Sequence, residues 1–169
     1  LELSAISRQS DFSGAVERAA PSVVNIFTRK SAAAHSSDAI GVNWDGDPET
    51  HMKALGSGVI VSEHGDILTN YHVVDGISNL SVALADGRTF EAKLRGKDVE
   101  TDLALLQVKA EGLTAAVLGD ASKLKVGQTV LAIGNPFDVG QTVTAGIISA
   151  LGRHGFGLNS YEDFIQTDA

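Results

Sequence analysis

Apolar residues recur at helical spacing only near the start of this chain, and at every second position thereafter. In DFSGAVERAA (11–20), Phe12, Val16 and Ala19 fall on one helical face, and Pro21 supplies a stop. Beyond it, SVVNIF (22–27) and GVIVS (58–62) read as strands, with a turn at Glu63-His64-Gly65-Asp66 leading into ILT (67–69). The plainest hairpin is LSVALADGRTFEAKL (80–94), where Asp86-Gly87 is expected to supply the positive φ angles of a tight turn. Its pattern turns Leu80, Val82 and Leu84 to the core from one strand and Phe90, Ala92 and Leu94 from the other, with Thr89, Glu91 and Lys93 outward. TDLALLQV (101–108) is apolar on both faces after its first two residues, as a strand inside a closed barrel would be. After a break at KAEGLTAA, a second set begins: TVLAIG (129–134), TVTAGIISAL (142–151) and FIQT (164–167). Short strands and little helix predict an all-β barrel or sandwich. The acidic, small-residue segment 30–54 shows no periodicity and reads as a long loop, of the kind that is functional or disordered.

Composition adjusts this picture modestly. With 43% hydrophobic and 20% charged residues over 169 positions, a packed core is expected, in one ordinary domain or in one small domain and part of another. A net charge of -8, with no Lys/Arg cluster to offset it, argues against nucleic acid or an anionic membrane as partner. The absence of cysteine excludes disulfides and thiolate catalysis. The apolar runs are far shorter than the roughly 18 residues of a spanning helix. Because the chain starts with Leu-Glu rather than Met, an upstream segment is expected to have been removed by processing or cloning.

Candidate chemistry centres on His72 in TNYHVV (69–74). A histidine near apolar residues is commonly a satisfied structural side chain; it serves as a general base when it is near solvent, has one nitrogen held by an acceptor and a nucleophile within reach. Asn70 could cap the helical turn that follows the ILTN strand and so project the ring from a strand end. Asp102, at the head of the most apolar strand, suits the orienting carboxylate, although taken alone it reads first as a residue that ends a strand or caps a turn. Asp75 and Asp98 sit in polar turns and suit that role less. The nucleophile is missing from this pattern: Ser57 in GSG leads into a strand and reads as structural, and no other serine occupies a glycine-rich turn. NWDGDPE lacks the ligand order of a calcium loop, the five histidines lack metal-site spacing, and GRHGFG is not followed by a clear helix, so neither metal nor cofactor is expected.

GSGVIVSEHGDILTNYHVV, TDLALLQV, LAIGNPF, GQTVTAGIISALGR and FIQTDA occur in the order and rough spacing of the HtrA/Deg family of trypsin-like serine proteases. Each string is weak by itself; five in order are specific. The chain resembles that family from Phe12 to Ala169, and its details look most like the membrane-anchored, stress-sensing DegS-like members of bacterial envelopes. The resemblance implies a double six-stranded β-barrel of chymotrypsin type, with His72 as general base and Asp102 as its partner. It divides the chain into an N-terminal segment with a short helix (1–20), a first barrel with its long loop (21–110), and the first part of a second barrel (111–169). After QTDA the family continues into N-P-G-N-S-G-G, which bears the nucleophilic serine and the oxyanion-hole amides. This chain stops before that point, so it holds no nucleophile, its second barrel is incomplete, and it is expected to be inactive alone.

The resemblance further implies regulatory roles for Trp44 in loop 30–54, for Phe137 after GNP, and for Arg153 at the start of LGRHGFGLNSYED, which is similar to a sensor loop reporting to a PDZ domain. Phe12 would be a contact within a homotrimer. The implied activity is ATP-independent endoproteolysis in the periplasm, without cofactor, on misfolded envelope proteins or an anti-sigma factor, with an inner-membrane anchor outside this chain. The rival reading is a non-catalytic pseudoprotease, or a barrel-derived binding or oligomerisation module, that keeps His72 and Asp102 by inheritance.

Overall fold

The computed structural model of the chain describes residues 11–31, 50–134, 141–155, 157 and 161–169, apart from the side chains of 29–31 and 50–52. Trp44 and Phe137 lie outside the described residues, as do most of loop 30–54 and part of the segment after Arg153.

Six strands close into an antiparallel barrel: β1 (Val23–Ser31), β2 (Thr50–Ile60), β3 (Asp66–Asn70), β4 (Leu80–Ala83), β5 (Thr89–Asp98) and β6 (Leu103–Val108), in the order β1-β2-β3-β6-β5-β4. Period-2 alternation fills the interior, because β1 (Val24, Ile26), β4 (Leu80, Val82) and β6 (Ala104, Leu106, Val108) send alternate apolar residues to one axis. Val24, Ile26, Ile60, Ile67, Val82, Leu106 and their neighbours form a single buried cluster. Leu113, just beyond β6, joins it, and the Arg88 guanidinium ties the passing chain down through the carbonyls of Glu111 and Gly112.

The second region is an open sheet of β7 (Thr129–Gly134), β8 (Thr142–Arg153) and β9 (Phe164–Thr167), also antiparallel. The all-β reading therefore holds, with one closed six-stranded barrel and a partial second sheet. The two regions meet at β1, where the Gln141 amide donates to the carbonyls of Ala20 and Val23. At the N-terminus, α1 (Ser13–Ala19) leads through a 3-10 turn at Ala20–Ser22 into β1. Phe12, Val16 and Ala19 do form its less exposed side, but no residue of α1 is buried.

Several local expectations are corrected. Segment 30–54 is not all loop: β1 runs on to Ser31 and pairs with β2 from Thr50, so pairing with a neighbour makes strand where no apolar alternation announced it. The hairpin at Asp86-Gly87 has positive φ at Gly87 only; with Gly87 N donating to Leu84 O and Leu84 N to Arg88 O, it is a three-residue loop with a bulge rather than a two-residue turn. Leu94 is 45% exposed although it pairs with buried Leu106; it is the last residue of β5 before the register slips between Leu94 and Gly96. β6 alternates rather than burying both faces: Ala104, Leu106 and Val108 point inward, while Leu103 is exposed.

Candidate active site

β3 ends at Asn70 and the chain turns at once into α2 (Tyr71–Val74), a single helical turn. Its inner end is anchored by buried Val74, and Val73 lies so close to Gly56 that a Cβ there would come within 3.0 Å of a Val73 methyl. The β3–β6 register pairs Asn70 with Leu103, which brings Asp102, immediately before β6, beside the start of α2. Asp102 has φ of +55°, the one non-glycine in the left-handed region among the described residues, and aspartate is among the few side chains that tolerate it.

The Asp102 carboxylate is surrounded by donors. One oxygen accepts the backbone N–H of His72 at 2.9 Å; the other lies 2.7 Å from His72 Nδ1 and 3.2 Å from the Asn70 side-chain amide. Its carbonyl accepts Tyr71 N at 3.0 Å and the Asn70 amide at 3.2 Å. Asp102 therefore supplies, from another strand, the acceptor that the first N–H groups of α2 need. Asn70 was expected to cap this turn, but its side chain makes no cap bond and instead holds Asp102.

These contacts fix the electrostatics. The Asp102 carboxyl is held below the usual aspartate range, first by the His72 backbone N–H; partial burial opposes this, and the His72 ring and the Asn70 amide reinforce it. An anionic partner at Nδ1 makes that nitrogen the proton-bearing one, so neutral His72 carries its free lone pair on Nε2. The His72 side chain is 71% exposed, against 18% for Asp102. An oriented, accessible base with a shielded carboxylate behind it can accept a proton from a nucleophile and be stabilised once charged. Where β7 approaches the barrel lies a cleft of about 220 Å³, walled by Val23, Val59, Leu68, Asn70, Leu103 and Ile133.

Residues 56–169 match the family described as trypsin-like peptidase domain. The chain belongs to that family. Among these peptidases it is of the HtrA/Deg type. It is 44% identical over 156 residues to serine endoprotease DegS of Escherichia coli K12, covering 92% of this chain and 41% of that protein. It is 50% identical over 131 residues to periplasmic serine endoprotease DegP of Salmonella typhimurium LT2, covering 76% of this chain and 28% of that protein. Among solved structures, HtrA-type protease AlgW with decapeptide superposes with a TM-score of 0.81 at 48% identity, over 94% of this chain and 51% of that one. The chain thus spans less than half of these curated relatives and about half of the solved chain.

The other candidates of this HtrA-type chain are dispersed. Arg153, at the end of β8, is exposed and donates to the Gln166 side chain at 3.1 Å. Phe12 is half-buried beside α1. Ser57 lies within β2, its carbonyl accepting the Thr69 hydroxyl. Asp75 accepts from the Tyr71 hydroxyl, and Asp98 from Glu100 N in a turn. Two participants escaped the sequence reading: Asn70 as a tether of Asp102, and Tyr71, next to His72 in the chain, as a hydrogen-bond partner of Asp75 and Lys97. The TN step before His72 was a usable signal for the first; nothing in the local sequence points to the second.

Proposed function

We propose that this chain is the N-terminal part of the protease module of an ATP-independent serine endopeptidase, with His72 as general base and Asp102 as the carboxylate that orients and charge-stabilises it. The 2.7 Å His72–Asp102 contact, backed by the His72 N–H on the same carboxylate, carries the reading. In the reaction, a serine hydroxyl passes its proton to His72 Nε2 while its oxygen attacks the peptide carbonyl. The same nitrogen then hands the proton to the departing amine, and the acyl-serine is released by water activated in the same way.

The serine, the oxyanion donors and the remaining strands of the second barrel belong, in this proposal, to an N-P-G-N-S-G-G segment after Ala169, so residues 1–169 alone do not turn over substrate. The division into segment 1–20, first barrel 21–110 and second-barrel portion 111–169 is part of the same reading, and the gap between closed barrel and open sheet supports it. The names of the relatives support a periplasmic setting, and the peptide in the solved AlgW structure supports peptide or protein substrates. Envelope-stress proteolysis of misfolded proteins or an anti-sigma factor, an inner-membrane anchor, a PDZ partner, a homotrimer using Phe12, and regulation through Arg153, Phe137 and Trp44 extend the proposal on family likeness.

Labelling with a serine-directed fluorophosphonate tests it. The protein extended through N-S-G-G is expected to label, with labelling lost in His72→Ala; an extended protein that takes no label is a binding module and the reading fails.

A further inference from the structure

The turn that carries His72 is too short to hold itself. Four residues close barely one helical turn, and helices of that length are not stable on their own. The contacts described so far fasten it at two places: Asp102 takes the N–H groups of Tyr71 and His72, and Val74 is buried beneath. Its far end, where Asp75 is already extended, is followed by a backbone bond from Ile77 N to Val74 O at 3.2 Å.

A separate set of side chains spans that end. The Tyr71 hydroxyl donates to Asp75, four residues on, and so bridges the whole turn. The Lys97 ammonium lies 3.5 Å from the same hydroxyl and 5.0 Å from the centre of the Tyr71 ring. Lys97 is on β5, opposite Ala104 of β6, so it comes from the strand next to the one that Asp102 precedes. The β5 bulge between Leu94 and Gly96 lies just before it. An acceptor carboxylate on one side and a cation on the other polarise the hydroxyl and tie α2 to the barrel wall independently of Asp102.

From this we infer that Tyr71, with Asp75 and Lys97, is a positioning residue for His72: it sets the pitch of the turn and thereby the direction of the imidazole, without touching substrate. The inference rests on the proposed role of His72 as base. A small misdirection of a base is expensive in turnover and cheap in substrate binding.

The test uses the full-length protease with a chromogenic peptide, and proton NMR of the His72 Nδ1–H resonance. Tyr71→Phe and Lys97→Met are each expected to lower kcat about tenfold at unchanged KM. Lys97→Arg, which keeps the cation, is expected to restore most of the rate. Both damaging variants should also speed solvent exchange of the Nδ1–H while Leu106 N–H in the barrel stays protected, which separates a loosened turn from a weakened fold. Unchanged kcat and unchanged Nδ1–H exchange in Tyr71→Phe overturn the inference, as does a loss matched by loss of Leu106 protection. If the unaltered protease takes no fluorophosphonate label, the base assignment fails instead, and the exchange measurement, which needs no turnover, still decides whether the clamp holds the ring.

Discussion

The closed barrel and the open sheet are built from similar strands, yet they bury apolar surface very differently. Of the buried apolar residues described, Ile148 alone lies in the β7–β9 sheet, whereas β1 to β6 supply nearly all the rest. The sheet leaves Val143, Ile147, Leu151 and Ile165 substantially exposed. A barrel has no free edge and one shared interior, so alternation alone completes it; a three-stranded sheet has a face that something else must cover.

The difference can be tested in order of expected effect. Because the candidate chemistry hangs from the barrel, Asp102→Asn in the full-length protease should lower kcat by about 10⁴-fold through the wrong imidazole tautomer, read by single-turnover peptide cleavage. Next, Leu106→Ala should cost about 2–5 kcal/mol in urea unfolding, because Leu106 is fully buried at the barrel axis. Ile147→Ala, 43% exposed, should stay within about 0.5 kcal/mol. An equal cost at both sites would break the contrast and mean that the sheet face is covered in solution.

Within the barrel, Gly65→Ala should destabilise by about 1–3 kcal/mol, since Gly65 has φ of +94° and a Cβ would run into the Val108 carbonyl oxygen. Gly87→Ala has similar φ but open space around it and should cost only about 1 kcal/mol, a comparison that separates backbone strain from crowding. The smallest expected effect is with pH. The Asp102 carboxyl is depressed in the folded protein, so its contribution to stability is complete above the ordinary aspartate value of about 3.9 and is lost as pH falls through the lower folded value. Acid unfolding curves of the wild type and Asp102→Asn should converge at low pH; curves that stay parallel down to full protonation remove the carboxylate from the stability of α2.

The alternation of LSVAL and the apolar runs SVVNIF and LALLQV were enough to mark strands, because burial imposes a pattern on residues that are neighbours in sequence, but they left barrel and sandwich open, and the one-sided burial of β6 was not read from them. Strand β2 from Thr50 to Ser57 was unreadable for the complementary reason: its conformation comes from pairing with β1 and not from its own pattern. The register slip that follows Leu94 likewise depends on pairing with β6. At the site, His72 and Asp102 were legible as residue types suited to a base and its partner. That Asp102 would adopt a left-handed backbone and take the first N–H groups of α2 was not, since this follows from the Asn70–Leu103 register. Lys97 lies 26 residues from Tyr71, beyond the reach of any local pattern.

Every strand of the barrel falls between Val23 and Val108, and Leu113 is its last core residue, while the Gln141 tie to Ala20 and Val23 joins positions 121 and 118 apart. Synthesis proceeds from the N-terminus, so the first barrel can seal while β7 to β9 have yet to be made. The later half then meets a finished wall, and Gln141 becomes the latch by which newly made chain is registered against it.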